Sequence, residues 1–148
     1  VDVKMELGTF GAVMGFAAQL VVQSADFYAT ASAATKNATL ESLLQSLAQD
    51  ARKDVATMEQ TRRENVTEMI LEPIAGLVRE DYAIGLQPPG ADAEIVQTGL
   101  RLEERDQKFF RDASARVPLP EVARVFRKTA QRKEQNISRL RALAAAVG

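Results

Sequence analysis

A chain of 148 residues that is 46% hydrophobic and 26% charged is long enough for one domain with a full core, and its formal net charge of -1 gives no overall basic balance to favour nucleic acid. It contains no cysteine, which excludes a disulfide framework and a thiolate metal site, and no histidine, which removes the commonest metal ligand and the commonest general base. Aromatic residues make up 5% and β-branched residues form no alternating runs, so a single all-α domain over 1–148 is expected.

The first predicted helix runs from about residue 6 to about 35. Leu7, Phe10, Met14, Ala17, Val21, Ser24, Tyr28 and Ala31 recur at steps of three and four, and Val13, Phe16, Leu20 and Phe27 make the other side apolar as well. Residues 7 to 25 carry no charge. A helix apolar nearly all round is buried on several sides, which predicts the central or interface helix of a bundle. Gln19, Gln23 and Ser24 interrupt the run and disfavour a membrane span. Asp2 and Glu6 disfavour a signal peptide, and a cytoplasmic protein is expected.

Asn37 or Thr39 can cap the second helix, with Glu41 in its first turn and Leu40, Leu44, Leu47, Ala51, Met58 and Thr61 on one stripe that Asp54 interrupts. Residues 64–90 read as a long connection, within which Asn65 and Glu68 can cap a short helix ended by Pro73. Gly85 to Gly90 is extended or turn. A third helix follows Asp92, with Ile95, Val96, Gly99, Leu102, Phe109, Phe110 and Ala113 inward. Pro118 and Pro120 separate it from a fourth helix whose inward residues are Val122, Phe126, Thr129, Ile137, Leu140, Leu143 and Ala144.

An internal repeat joins these helices into two equivalent hairpins. At an offset of 82 residues Phe27-Tyr28 matches Phe109-Phe110, Ala31-Ser32 matches Ala113-Ser114 and Ala48-Gln49 matches Ala130-Gln131 without a gap. Leu40, Leu43, Leu44, Val55 and Met58 fall on Val122, Val125, Phe126, Ile137 and Leu140. Two similar hairpins joined by one long crossover make a four-helix bundle.

In this pattern the chain resembles the ferritin-like superfamily, and within it the rubrerythrin-like bundles, over essentially its whole length. In that family the first and third helices each carry a Glu seven positions before an aromatic residue, and the second and fourth carry Ala-x-x-Glu-x-x-His, together holding two metal ions. Carried onto this sequence, the resemblance puts the ligand positions at Val21, Ala51, Asp54, Glu103, Lys133 and Asn136. Glu103 alone keeps the expected residue type. Val21 and Ala51 have no ligand atom, Lys133 brings a positive charge, and Asp54 and Asn136 stand where histidines are expected. The resemblance therefore implies a bundle with a vacated dimetal site, holding no catalytic metal and no cofactor, in a binding or scaffolding role. The alternative it implies is a metal-dependent oxidoreductase or iron-handling protein. Heptad spacing points Asp54, Glu103, Lys133 and Asn136 inward, with Lys133 between Glu103 and Asp54 and with Asp106 as a further acid; partly exposed helix faces are the other placement.

Weaker signals concern partners. Gly11-x-x-x-Gly15, preceded by Gly8, permits close helix approach and suggests a homodimer through the first helix. Arg124, Arg127, Lys128, Arg132, Lys133, Arg139 and Arg141 concentrate positive charge on the fourth helix without interleaved aromatics, so a face salt-bridged to the acidic third helix is expected rather than nucleic-acid binding. The sequence names no protein partner.

Overall fold

The computed structural model of the protein describes residues 5–65 and 73–147. Four helices, α1 (Phe10–Ala34), α2 (Ala38–Glu64), α3 (Asp92–Arg116) and α4 (Pro120–Val147), form an all-α bundle, with a short 3-10 turn at Arg79–Tyr82 and no strand among the described residues.

Helix ends follow local chemistry. α1 begins at Phe10 rather than near residue 6, because the Thr9 hydroxyl accepts from the Ala12 N–H at 3.0 Å and fixes the first turn there. Residues 5–8 are instead extended: Leu7 N–H donates to Leu77 O, Ile74 N–H to Gly8 O and Arg79 N–H to Met5 O, at 2.8, 2.9 and 2.9 Å. Gly76 turns this segment with φ 88°, and a Cβ there would run into the Arg116 guanidinium. Asn37, not Thr39, caps α2 by accepting from Leu40 N–H. Asn65 closes α2, its side chain donating to Thr61 O, and the short helix expected after it falls on residues outside those described. Asp92 is the first residue of α3; its carboxylate accepts from the Thr35 hydroxyl at 2.7 Å, tying the start of α3 to the end of α1.

Cross-helix contacts give the directions. Thr35 meets Asp92 while Phe16 packs edge-on against Phe109, so α1 and α3 are antiparallel. Arg139 reaches Ser46 while Lys133 reaches Asp54, so α2 and α4 are antiparallel too. Connections of three residues, 35–37 and 117–119, join α1 to α2 and α3 to α4. Between the hairpins, the chain passes from beside the start of α1 through Tyr82, which donates to Asp112 at 2.6 Å, and Gly85, whose carbonyl accepts from Arg101 at 2.7 Å, to the start of α3.

The core divides into two apolar clusters. One, around Phe10, Met14, Phe16, Phe109, Phe110 and Phe126, fills the end where α1 begins; the other, around Tyr28, Leu44, Ile95, Leu102 and Leu140, fills the opposite end. Edge-to-face pairs such as Phe16–Phe109 at 5.3 Å and Tyr82–Phe109 at 5.1 Å add about 0.5–1.5 kcal/mol each beyond the area they bury. All inward residues predicted for α1, α2 and α3 are buried, whereas Leu143 and Ala144 near the end of α4 are only half-buried. By length and composition α1 could cross a membrane, but 56% of its most apolar stretch is buried inside the bundle, as in a core helix. The basic residues of α4 divide between both neighbours: Arg132 pairs with Asp54 and Arg139 with Asp50 of α2, Arg141 reaches Glu104 of α3 at 4.0 Å, and Lys133 contacts acids of both helices.

Candidate functional site

A layer of polar side chains lies between the two apolar clusters, and each helix supplies part of it at a position its own periodicity turns inward. α2 contributes Asp54, α3 Glu103 and Asp106, α4 Thr129, Lys133 and Asn136, and α1 Ser24, all buried. Lys133 is at the centre. Its Nζ is 2.9 Å from Asp54 Oδ2, 3.5 Å from Glu103 Oε2 and 3.9 Å from Asp106 Oδ2, with the side chain 1% exposed. Asn136 Nδ2 donates to Glu103 Oε1 at 2.8 Å, and the Ser24 hydroxyl donates to Asp106 Oδ2 at 2.7 Å. The structure thus brings Asp54, Glu103, Lys133 and Asn136 into one cluster, while Val21 and Ala51 are fully buried apolar neighbours that carry no polar side-chain atom.

One participant, Arg105, was not singled out by the sequence. Arg105 is buried and donates from Nε to Asp106 Oδ1 at 2.7 Å, from Nη1 to Gln23 Oε1 at 2.8 Å and from Nη2 to Leu20 O at 3.4 Å. Gln23 and Ser24 lie 82 residues before Arg105 and Asp106, the offset of the internal repeat, so α1 and α3 touch through equivalent residues. At the rim, Arg132 Nη2 lies 2.7 Å from Asp54 Oδ1, near enough for an ion pair but out of line for a hydrogen bond, which leaves that oxygen without a donor. Three carboxylates are thereby matched by Lys133, Arg105 and Arg132.

Burial and charge act against each other here. The Glu103 carboxyl is raised from 4.5 to about 7: desolvation is the main cause, Lys133 and the Asn136 hydrogen bond oppose it, and Asp106 and Asp54 add to it. Its Oε2 has no hydrogen-bond donor. For Lys133, burial alone would lower the pKa, but Glu103, Asp106 and Asp54 outweigh it and hold the ammonium above its ordinary value, hence charged. Tyr28, whose hydroxyl makes a long 3.3 Å bond to Gly99 O, is raised by burial and then by the Glu103 and Asp106 charges, so it stays neutral.

The arrangement defines a class, a four-helix bundle with an ion-paired layer buried at its middle. Among the described residues no group of three or more carboxylates converges so as to hold a metal ion; the ammonium takes the place between them. A hypothetical protein from Pyrococcus furiosus is similar in structure, with a TM-score of 0.73 and 17% identity over 91% of this chain and 87% of that one, a likeness of fold. No protein-family model matches the chain, and no curated protein does.

Two outcomes are expected from this geometry. Lys133→Met strands buried anions and should cost about 3–5 kcal/mol in urea or thermal melts, whereas combining it with Glu103→Gln and Asp54→Asn should recover part of the loss; a single variant as stable as the parent would contradict the central role of the ammonium. For Glu103 the folded state binds the proton more tightly than the unfolded chain, so between pH 4.5 and about 7 its contribution to stability falls as pH rises. The stability of Glu103→Gln relative to the parent should therefore rise by about 3 kcal/mol from pH 4 to pH 8. A difference that stays flat with pH would remove the raised carboxyl.

Proposed function

We propose that the protein is a ferritin-like, rubrerythrin-related bundle whose dimetal site has been vacated, and that it serves in binding or scaffolding rather than in catalysis. The observation that carries this reading is the position of the Lys133 ammonium, in contact with Asp54, Glu103 and Asp106 at the level where the resemblance puts the metal ions. The connection between the hairpins, passing from the start of α1 to the start of α3, supports the ferritin-like long crossover.

The residues do not fit a dimetal group. Of the six ligand positions, Val21 and Ala51 offer no donor, the Asn136 amide is taken up by Glu103 and Arg139, and Lys133 brings a cation where cations would have to bind. Elemental analysis of protein purified with iron, manganese and zinc present should find no stoichiometric metal. One tightly held ion per chain, lost on Glu103→Gln, would overturn the vacated-site reading in favour of an oxidoreductase or iron-handling protein.

Homodimerisation through α1 belongs to the same proposal. A Cβ added at Gly8 or Gly15 would meet nothing within 4 Å, so these glycines are not required by packing inside the chain, and Val22 on the helix is 41% exposed. Close approach of a second α1 would account for both. Gly15→Leu should leave the helix content unchanged and weaken association in light scattering; a monomeric parent at high micromolar concentration would end this part of the proposal. A cytoplasmic location accords with the burial of α1 within the bundle, and the ion pairs of Arg132, Arg139 and Arg141 take up part of the basic charge of α4, in keeping with a protein that does not bind nucleic acid.

A further inference from the structure

A cleft of about 420 Å³ opens where the 3-10 turn crosses α1 beside α3, within the size range of small-molecule sites. Its apolar part is the edge of the aromatic cluster: Phe16 and Tyr82 are each held by Phe109, and Leu20 continues the surface. Because Tyr82 also donates to Asp112, this wall is fixed rather than adaptable. Its polar part combines the donors of Arg79, Gln23 and Arg105 with the Gln19 amide and the Glu80 carboxylate. Arg79 sits with its guanidinium carbon 5.0 Å from the Phe16 ring centroid, forms no ion pair among the described residues, and has a buried Nε–H with no acceptor. Gln23 gives its side-chain oxygen to Arg105, which leaves its NH₂ group as a donor, and Arg105 itself adds positive charge at the wall. Glu80 also lines the cleft, but both of its oxygens accept from the Met5 N–H, at 2.9 and 3.0 Å.

We propose that this cleft binds a small organic carboxylate with an apolar body, its carboxylate on Arg79 and the Gln23 amide and its body against Phe16, Leu20 and Tyr82. A guanidinium stacked on a ring presents its N–H edge, and that edge matches the two oxygens of a carboxylate. An anion without an apolar body would leave the aromatic wall wet, so inorganic phosphate is not the ligand class. The cleft shares Arg105 and Gln23 with the outer edge of the polar layer but uses none of the six ligand positions, so it stands whether or not the dimetal reading does.

Calorimetric titration of the full chain with benzoate, benzyl alcohol and inorganic phosphate tests this. Benzoate should saturate one site per chain, and benzyl alcohol, which lacks the charge, and phosphate, which lacks the ring, should each bind at least about tenfold more weakly. Arg79→Gln and Gln23→Glu should each lower benzoate affinity by about tenfold or more, with circular dichroism melts confirming that the variants are folded. Gln23→Glu keeps an acceptor for Arg105 while replacing the cleft donor by a carboxylate, so it decides the matter if Arg79→Gln does not fold. No saturable benzoate binding, equal binding of benzyl alcohol or phosphate, or unchanged affinity in a folded variant would overturn the proposal.

Discussion

One ammonium group, on Lys133, determines how the middle of this bundle can exist at all. Three carboxylates reach the midplane from α2 and α3, where an isolated ion would cost several kcal/mol in lost hydration. Arg105 serves Asp106 alone and Arg132 reaches Asp54 only from the rim, so Lys133 is the one cation in contact with all three. Such a layer adds little net stability compared with an apolar one of equal volume; what it adds is a requirement that all four helices be in place together. The two apolar clusters on either side are coupled through it, because neither can loosen to the midplane without exposing the pairing of the other's helices.

The helices were legible in the sequence because their signals are redundant. In α2 and α3 the apolar stripe, the cap or flanking proline and the first-turn carboxylate agree, and every inward residue assigned there is buried. Boundaries were less legible where two local signals compete. Glu6 and Leu7 suit the periodicity of α1, but Thr9 can accept from Ala12, and residues 5–8 find backbone partners in 74–79 that are more than sixty positions away in sequence and invisible to a local pattern. Fourth-helix basic residues were assigned to α3 because that helix is acidic; Lys133 and Arg141 do reach α3, while packing also brings Arg132 and Arg139 to α2.

Within the polar layer, Asp54, Glu103, Lys133 and Asn136 could be found from heptad spacing, since charges at inward positions have to meet one another. Arg105 could not be found that way. It flanks the inward stripe of α3, and it is buried because it tucks between α1 and the 3-10 turn, a tertiary effect. The internal repeat did hold a usable signal: its offset pairs Gln23 with Arg105 and Ser24 with Asp106, and equivalent residues near the axis of two antiparallel hairpins tend to touch. Function is less legible than fold for a physical reason. Periodicity marks which side chains face inward, while a binding role depends on surfaces that periodicity does not describe.

The two hairpins share a shape but not a charge. α3 and α4 bring Glu103, Asp106, Arg105 and Lys133 to the midplane, whereas α1 and α2 bring Asp54 and Ser24, with Val21 and Ala51 where the partners are charged. Self-association of the first hairpin would set two copies of Asp54 together without a cation, and self-association of the second would press two Lys133 ammoniums into the space that Ala51 leaves for one. Each hairpin is thereby unsuited to its own copy and matched to the other, so two hairpins of similar pattern are kept from pairing like with like during assembly.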